Sequence, residues 1–300
     1  MWPQRALTSH QHPNVLSPLA TFCAPHLSTG TSTNNNVDNV VVLPSASVID
    51  FRQYWHDQWH NTSRNSECLV EQSACLTLAR LLSAALYLYE HCGLEMPRLL
   101  TRHVVMTVLD TGECYPLLRP STRALGNFSK TFPGGTVADD VSELVSIMLQ
   151  LDCVPGHQSN SSVKRGEKPT TCGDVAPVIS PTSSYLRCLQ HVVRFLHRKA
   201  GDGGSLVEGM KKARQLLDFT VWGPPVEDKE ARLMAVSDDD QDTALRVWLA
   251  VTRCRLLAEL AVADDGMSQN GGLEVAEKAA FLSSATEKRL LELTKLLVIP

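Results

Sequence analysis

His56-Asp57-Gln58-Trp59-His60 places two imidazoles at i and i+4, on one face of a helix, with an acid between them. That spacing can chelate a divalent metal while the acid acts as general base, as in the H-E-x-x-H pattern of zinc hydrolysis. Aspartate is one methylene shorter than the glutamate of that pattern, and no third ligand is marked by spacing. Two histidines, His56 and His60, on the exposed side of a short helix is therefore the plainer reading, with a zinc hydrolase kept as a competitor. Residues 93–112 hold two more candidates, His103 and Asp110. His103 lacks an orienting acid in sequence and reads as a surface or hydrogen-bonded histidine. Asp110-Thr111-Gly112 has the chemistry of a turn, where the short acid bonds its own backbone and glycine relieves the bend.

The 300 residues are 43% hydrophobic and 20% charged, a globular composition for one large or two ordinary domains. A net charge of −4 and a pI near 6.2 give no electrostatic footprint for nucleic acid, and no Lys/Arg cluster suggests a polybasic membrane patch. The N-terminus has no apolar signal-peptide core, and no run of about 18 apolar residues suggests a membrane span. Nine scattered cysteines, odd in number and without a C-x-x-C, point to reduced thiols and an intracellular protein. Neither a cofactor nor a metal is called for, and no nucleic-acid or membrane partner.

Hydrophobic spacing then places the elements. Short apolar runs at Val15-Leu16 and at residues 40–43 read as two strands joined by a polar loop, and residues 47–60 read as a helix. Ala74, Cys75, Leu78, Leu81, Leu82, Ala85, Leu86 and Tyr89 recur at three and four residue intervals and predict a long core-facing helix that stops at Gly93. A hairpin is expected from residues 104–109 and 114–118, and helices over 137–151, 185–199, 206–221, 243–263 and 273–298. Residues 154–184 are Ser/Thr/Pro/Gly-rich without periodicity and read as a flexible insertion. Trp222-Gly223-Pro224 is expected to anchor and stop the helix before it: tryptophan in the core, glycine for the turn, proline against continuation.

Several stretches resemble parts of protein kinases. His12-Pro13-Asn14-Val15-Leu16 with Leu19 resembles the H-P-N-I-x-x-L that opens the fourth strand of a kinase N-lobe, and residues 40–44 resemble the fifth strand and hinge. Ala138-Asp139-Asp140-Val141-Ser142-Glu143-Leu144 resembles the start of the buried C-lobe helix. In that register the catalytic loop falls after the long helix, where a kinase needs H-R-D-x-x-x-x-N: an aspartate to accept the substrate proton and an asparagine to help hold magnesium. Met96-Pro97-Arg98 and His103 stand in those places. The magnesium-binding D-F-G would fall near residues 117–120, Leu-Leu-Arg-Pro, and the A-P-E has no counterpart before Val137.

The most specific succession lies downstream. Leu216-Leu217 with Val221-Trp222-Gly223-Pro224, then Leu245, Trp248-Leu249 and Arg253, then Gly272-Leu273-Glu274, Phe281-Leu282-Ser283-Ser284-Ala285 and Leu296-Leu297 are similar, in order and spacing, to the C-terminal end of the PEAK/pragmin family of pseudokinases. The resemblance covers nearly the whole chain, residues 11–298. It implies a mainly α (α+β) fold: a kinase-like C-lobe over residues 45–225, entered from remnant N-lobe strands and hinge over 1–44, and followed by a helical dimerisation extension over 226–300.

It also implies a catalytically inactive scaffold in tyrosine-kinase and cytoskeletal signalling and cell migration, cytoplasmic with cytoskeletal or focal-adhesion association. Such a scaffold would form homo- or hetero-dimers with family members and meet adaptors or kinases through regions missing here. Family members keep an Arg-Asp in the catalytic loop that this chain lacks. The Gly-rich loop, strand lysine and partner glutamate are also missing, and the expectation is a truncated chain. The competing expectation is a divergent active kinase whose ATP-binding N-lobe lies upstream. In the tail, Leu245, Trp248, Leu249, Thr252, Leu256 and Leu260 share one helix face, widened by Val251 and Leu257. That face can pack on its own lobe, and the resemblance assigns part of it to a dimer contact.

Overall fold

The computed structural model describes residues 12–16, 20–24, 38–42, 47–61, 67–92, 96–108, 114–119, 137–150, 183–201, 205–224, 238–262 and 272–298. Two antiparallel strands come first, β1 (Ala20–Ala24) and β2 (Asp38–Val42), with Ala20 opposite Val42. A three-stranded antiparallel sheet follows, ordered β3 (Ser47–Asp50), β4 (Val104–Val108), β5 (Cys114–Leu118). The lobe helices are α1 (Phe51–Asn61), α2 (Glu67–Glu90), α3 (Val137–Met148), α4 (Ser184–Gly201) and α5 (Leu206–Trp222). The tail consists of α6 (Asp238–Val262), α7 (Gly272–Ser284) and α8 (Glu287–Val298). This is a mainly helical fold with few strands and a helical extension.

Helix α2 is the centre. Ala74, Cys75, Leu78, Leu81, Leu82, Ala84, Ala85 and Leu88 have no exposure at all, and α3, α4, α5 and β5 pack around it. A helix enclosed on all sides is apolar all round. That is why α2 reaches the length and hydropathy of a membrane span while most of it is buried inside the chain. The core continues through Leu144 and Met148 of α3, Leu189, Val192 and Leu196 of α4, and Leu216, Leu217 and Phe219 of α5.

Three boundaries differ from the sequence reading. Residues 47–50 are not the first turn of α1 but an edge strand, Ile49 opposite Met106. Asp50 ends it by capping the helix, its Oδ1 accepting from Arg52 N (2.9 Å) and Gln53 N (3.2 Å). Val15-Leu16 does not form the first strand. Val15 bridges Leu118 in parallel, Leu16 N donates to Leu118 O (3.0 Å) and Leu118 N to Asn14 O (2.8 Å), so the segment is fastened to the edge of β5. The expected single helix over 273–298 breaks at Ala285-Thr286. Ser283 and Ser284 turn their hydroxyls back to the carbonyls of Ala280 and Phe281, and Thr286 Oγ1 caps α8 by accepting from Arg289 N.

Candidate functional site

Residues 96–103 run between α2 and β4, in the position the sequence reading gave to a catalytic loop. Pro97 and Leu99 are buried, Met96, Arg98 and His103 half-buried. The nearby carboxylate is Asp140, in the first turn of α3 and 2% exposed. Its Oδ2 accepts from Arg98 Nε (2.6 Å) and Leu99 N (3.0 Å), and its Oδ1 from Arg98 Nη2 (2.5 Å). This is a bidentate pair reinforced by a backbone donor. Hydrogen bonding to Asp140 raises the Arg98 guanidinium further above its ordinary range.

His103 closes the loop, its Nδ1 3.3 Å from Arg98 O, while its own carbonyl accepts from Arg119 N (2.7 Å). This loop thus presents a paired guanidinium, which has donors and no acceptor, and an imidazole set against a peptide oxygen. The Asp140 carboxylate already takes three N–H donors. Residues 114–119, which include three of the four positions expected around a D-F-G, contain no acid, while Asp110 and Pro120 lie outside the described residues. Asp140 was overlooked as a site residue, although it carried a signal: it falls in the same helical phase as Val137, Val141 and Leu144, and an acid on a buried face needs a partner.

The segment before β1 is clamped between β5 and α2. Asn14, 2% exposed, donates Nδ2 to Pro116 O (3.0 Å). His12 Nε2 lies 3.1 Å from Ser83 Oγ and its ring 5.0 Å from that of Tyr87, both on α2. Burial, with the nearby Arg214 charge, pulls the His12 pKa down to about 4, so its ring is neutral at physiological pH.

On α1, His56 and His60 do share a face, their rings stacked at 3.9 Å. His60 Nδ1 sits 2.9 Å from the His56 carbonyl, and Asp57 accepts from Gln53 Nε2 at 2.7 Å. Among the described residues no group of three His, Cys, Asp or Glu is arranged to hold a metal ion.

At the end of α5, Trp222 is half-buried, and the fully enclosed aromatic is Phe219, one turn earlier. Gly223 has an ordinary extended backbone, φ −77° and ψ 179°, so no left-handed turn demands it. Space does: a Cβ there would run into the Phe219 carbonyl oxygen and lie 2.8 Å from its ring. Pro224 is buried behind it.

Helix α6 has two apolar faces. Leu249 and Leu256 are 3% and 5% exposed, Leu245, Trp248 and Thr252 are half-buried, and Leu260 is 39% exposed. This inward face packs on α7 and α8. Arg253 fixes it there, its Nη2 donating to Leu282 O (2.7 Å) and Ala285 O (2.9 Å) and its Nε to Leu282 O (3.1 Å). Val247, Ala250, Val251, Cys254, Leu257, Ala258 and Ala261 lie on the other side, all exposed. They repeat at sevens, as Val247/Cys254/Ala261, Ala250/Leu257 and Val251/Ala258, with no charge among them. Val251 and Leu257 appeared in the sequence reading only as widening of the inward stripe. The signal for a separate face was the heptad repeat itself, opposite the leucine stripe.

No family model matches the chain, and no curated protein does. Among solved structures the chain is similar to that of the pseudokinase PEAK1 (Sugen kinase 269), with a TM-score of 0.61 at 18% identity, covering 96% of this chain and 76% of that one. At that identity the likeness shows the fold, a kinase-like one.

Proposed function

We propose that this chain is a catalytically inactive kinase-like scaffold of the PEAK/pragmin kind, which pairs with a second copy or a close relative through α6 and so brings signalling components together. In this reading residues 1–44 are remnant N-lobe strands and hinge, 45–225 the lobe, and 226–300 the pairing extension. The observation that carries it is the outward face of α6: seven uncharged positions in heptad spacing, with Val247, Val251 and Leu257 45–66% exposed. Helices paired through such a seam bury it by knobs-into-holes packing. The leucine face, Leu245 to Leu260, serves to hold α6 on α7 and α8, which leaves the opposite side for a partner.

Inactivity is supported by Arg98 standing where a kinase needs an aspartate and by Asp140 being committed to Arg98 and Leu99. Phosphoryl transfer depends on positioned acceptors and metal ligands, and neither is offered at this loop. The assembled components belong to tyrosine-kinase and cytoskeletal signalling in the cytoplasm, which rests on the likeness to a pseudokinase and on the motifs of the tail.

The test sets the two faces of one helix against each other. Leu257→Glu, outward, should give a monomer on size-exclusion chromatography with its melting temperature lowered by no more than about 2 °C, the range for a surface change. Leu249→Glu, inward, should cost the tail its packing, with a loss of about 3 kcal/mol from burying a charge among leucines. Unchanged association in Leu257→Glu would reject the outward face as the pairing surface.

A further inference from the structure

Between the lobe and the tail lies a cleft of about 640 Å³, within the size range of small-molecule sites. Its α5 wall carries Lys211, Arg214, Asp218 and Trp222, spaced by three and four residues so that they share a face. Across from it stand Arg80 of α2, Glu277 and Phe281 of α7, and Arg289 of α8.

The cations differ in how well they are matched. Arg80 is held by Glu277 through contacts of 2.9, 3.2 and 2.8 Å and lies 4.7 Å over the Tyr115 ring. Lys211 is 2.7 Å from Glu90 and 3.4 Å from Glu208. Among the described residues Arg214 reaches only Asp218, Nε to Oδ2 at 3.5 Å, and the Arg289 guanidinium has just the Ser284 carbonyl, at 3.4 Å. Asp218 offers these two guanidiniums a single carboxylate, which leaves one positive charge in excess. Burial foremost, with Glu277 adding to it, pushes its carboxyl up to about 6 against the pull of Arg214 and Arg289. Two under-matched guanidiniums, one from the lobe and one from the tail, therefore face a concave space walled by Trp222 and Phe281.

We propose that this cleft binds a small organic anion, a carboxylate or phosphate carried on a flat aromatic ring, with the anionic group between Arg214 and Arg289 and the ring against Trp222 and Phe281. Guanidinium geometry suits either oxyanion, and planar rings suit the aromatic wall. A bound anion would brace α8 against α5, so occupancy stiffens the junction of lobe and tail whether or not two chains pair.

Isothermal titration of the full chain with phenyl phosphate and with benzoate, against inorganic phosphate and phenol, tests the site. Saturable binding of at least one aryl anion is expected, with affinity falling about tenfold or more in Arg214→Gln and in Arg289→Gln, since each removes a charge-assisted hydrogen bond. Circular dichroism of both variants confirms that they fold. The two aryl anions separate phosphate from carboxylate preference. No saturable binding of either up to about 10 mM, a concentration that would detect even millimolar affinity, overturns the proposal. So does binding that both variants retain, or inorganic phosphate or phenol alone binding as tightly as the aryl anions.

Discussion

Arg98 and Asp140 tie the loop after α2 to the first turn of α3. With Asp140 2% exposed, its charge is tolerable only because three N–H donors from Arg98 and Leu99 meet it. Asp140→Ala should cost about 3 kcal/mol in urea unfolding, because it strands a guanidinium and a backbone N–H at once. Arg98→Asp, which restores the kinase residue type, should destabilise comparably by setting two carboxylates together, and should confer no phosphoryl transfer. Asp218 makes a prediction of opposite sign. Its carboxyl titrates at about 6 when folded against an ordinary 3.8, so between those values the folded chain holds more proton than the unfolded one. Its contribution is fully present below about 4 and lost as pH rises through about 6. Asp218→Asn should therefore raise stability at pH 7 by about 1–2 kcal/mol and leave it unchanged near pH 3. His12 runs the other way, its folded pKa of about 4 removing stability as pH falls from 6.5, so the difference between variant and wild type is the quantity to read.

Among the elements, the joint between α7 and α8 depends on a side chain from a third helix. Arg253 collects the carbonyls of Leu282 and Ala285, which the break at Ala285-Thr286 leaves without helical donors. Arg253→Met keeps the apolar stem and removes the donors. It should cost about 1–3 kcal/mol and speed amide exchange in the first turn of α8, while α2 stays protected. Local pattern made some elements readable: α2 from its long apolar repeat, the β4–β5 hairpin from two apolar runs around a turn, α5 from the stop at Gly223 and Pro224. Tertiary competition hid others. Val48 and Ile49 fit a helical spacing as well as a strand, and pairing with β4 together with the Asp50 cap decides for the strand. The α7–α8 break has local signals in Ser283, Ser284 and Thr286, but the donor that meets its freed carbonyls is Arg253, 29 and 32 residues away, which no window of neighbouring sequence contains. At the loop, the missing aspartate was legible from residue types, whereas the engagement of Asp140, 42 residues on from Arg98, needed the fold.

As a whole molecule, the chain is a kinase-like lobe with a helical tail fastened to its back. Arg80 of α2 and Glu277 of α7 make the tie, a bidentate pair between residues 197 apart with the Arg80 side chain only 7% exposed. The tail is thereby held in place, and α6 presents an uncharged heptad face outward. A face of that kind on a protein of net charge −4 is the main reason to regard the lobe as a carrier of the tail. The claim rests on association in solution, so sedimentation equilibrium of the wild-type chain over a range of concentrations tests it most directly. The account predicts a mass of twice 32.9 kDa at micromolar concentration, shifting toward 32.9 kDa on dilution. A mass that stays at 32.9 kDa up to about 100 µM, far above the range of specific pairing, would contradict it.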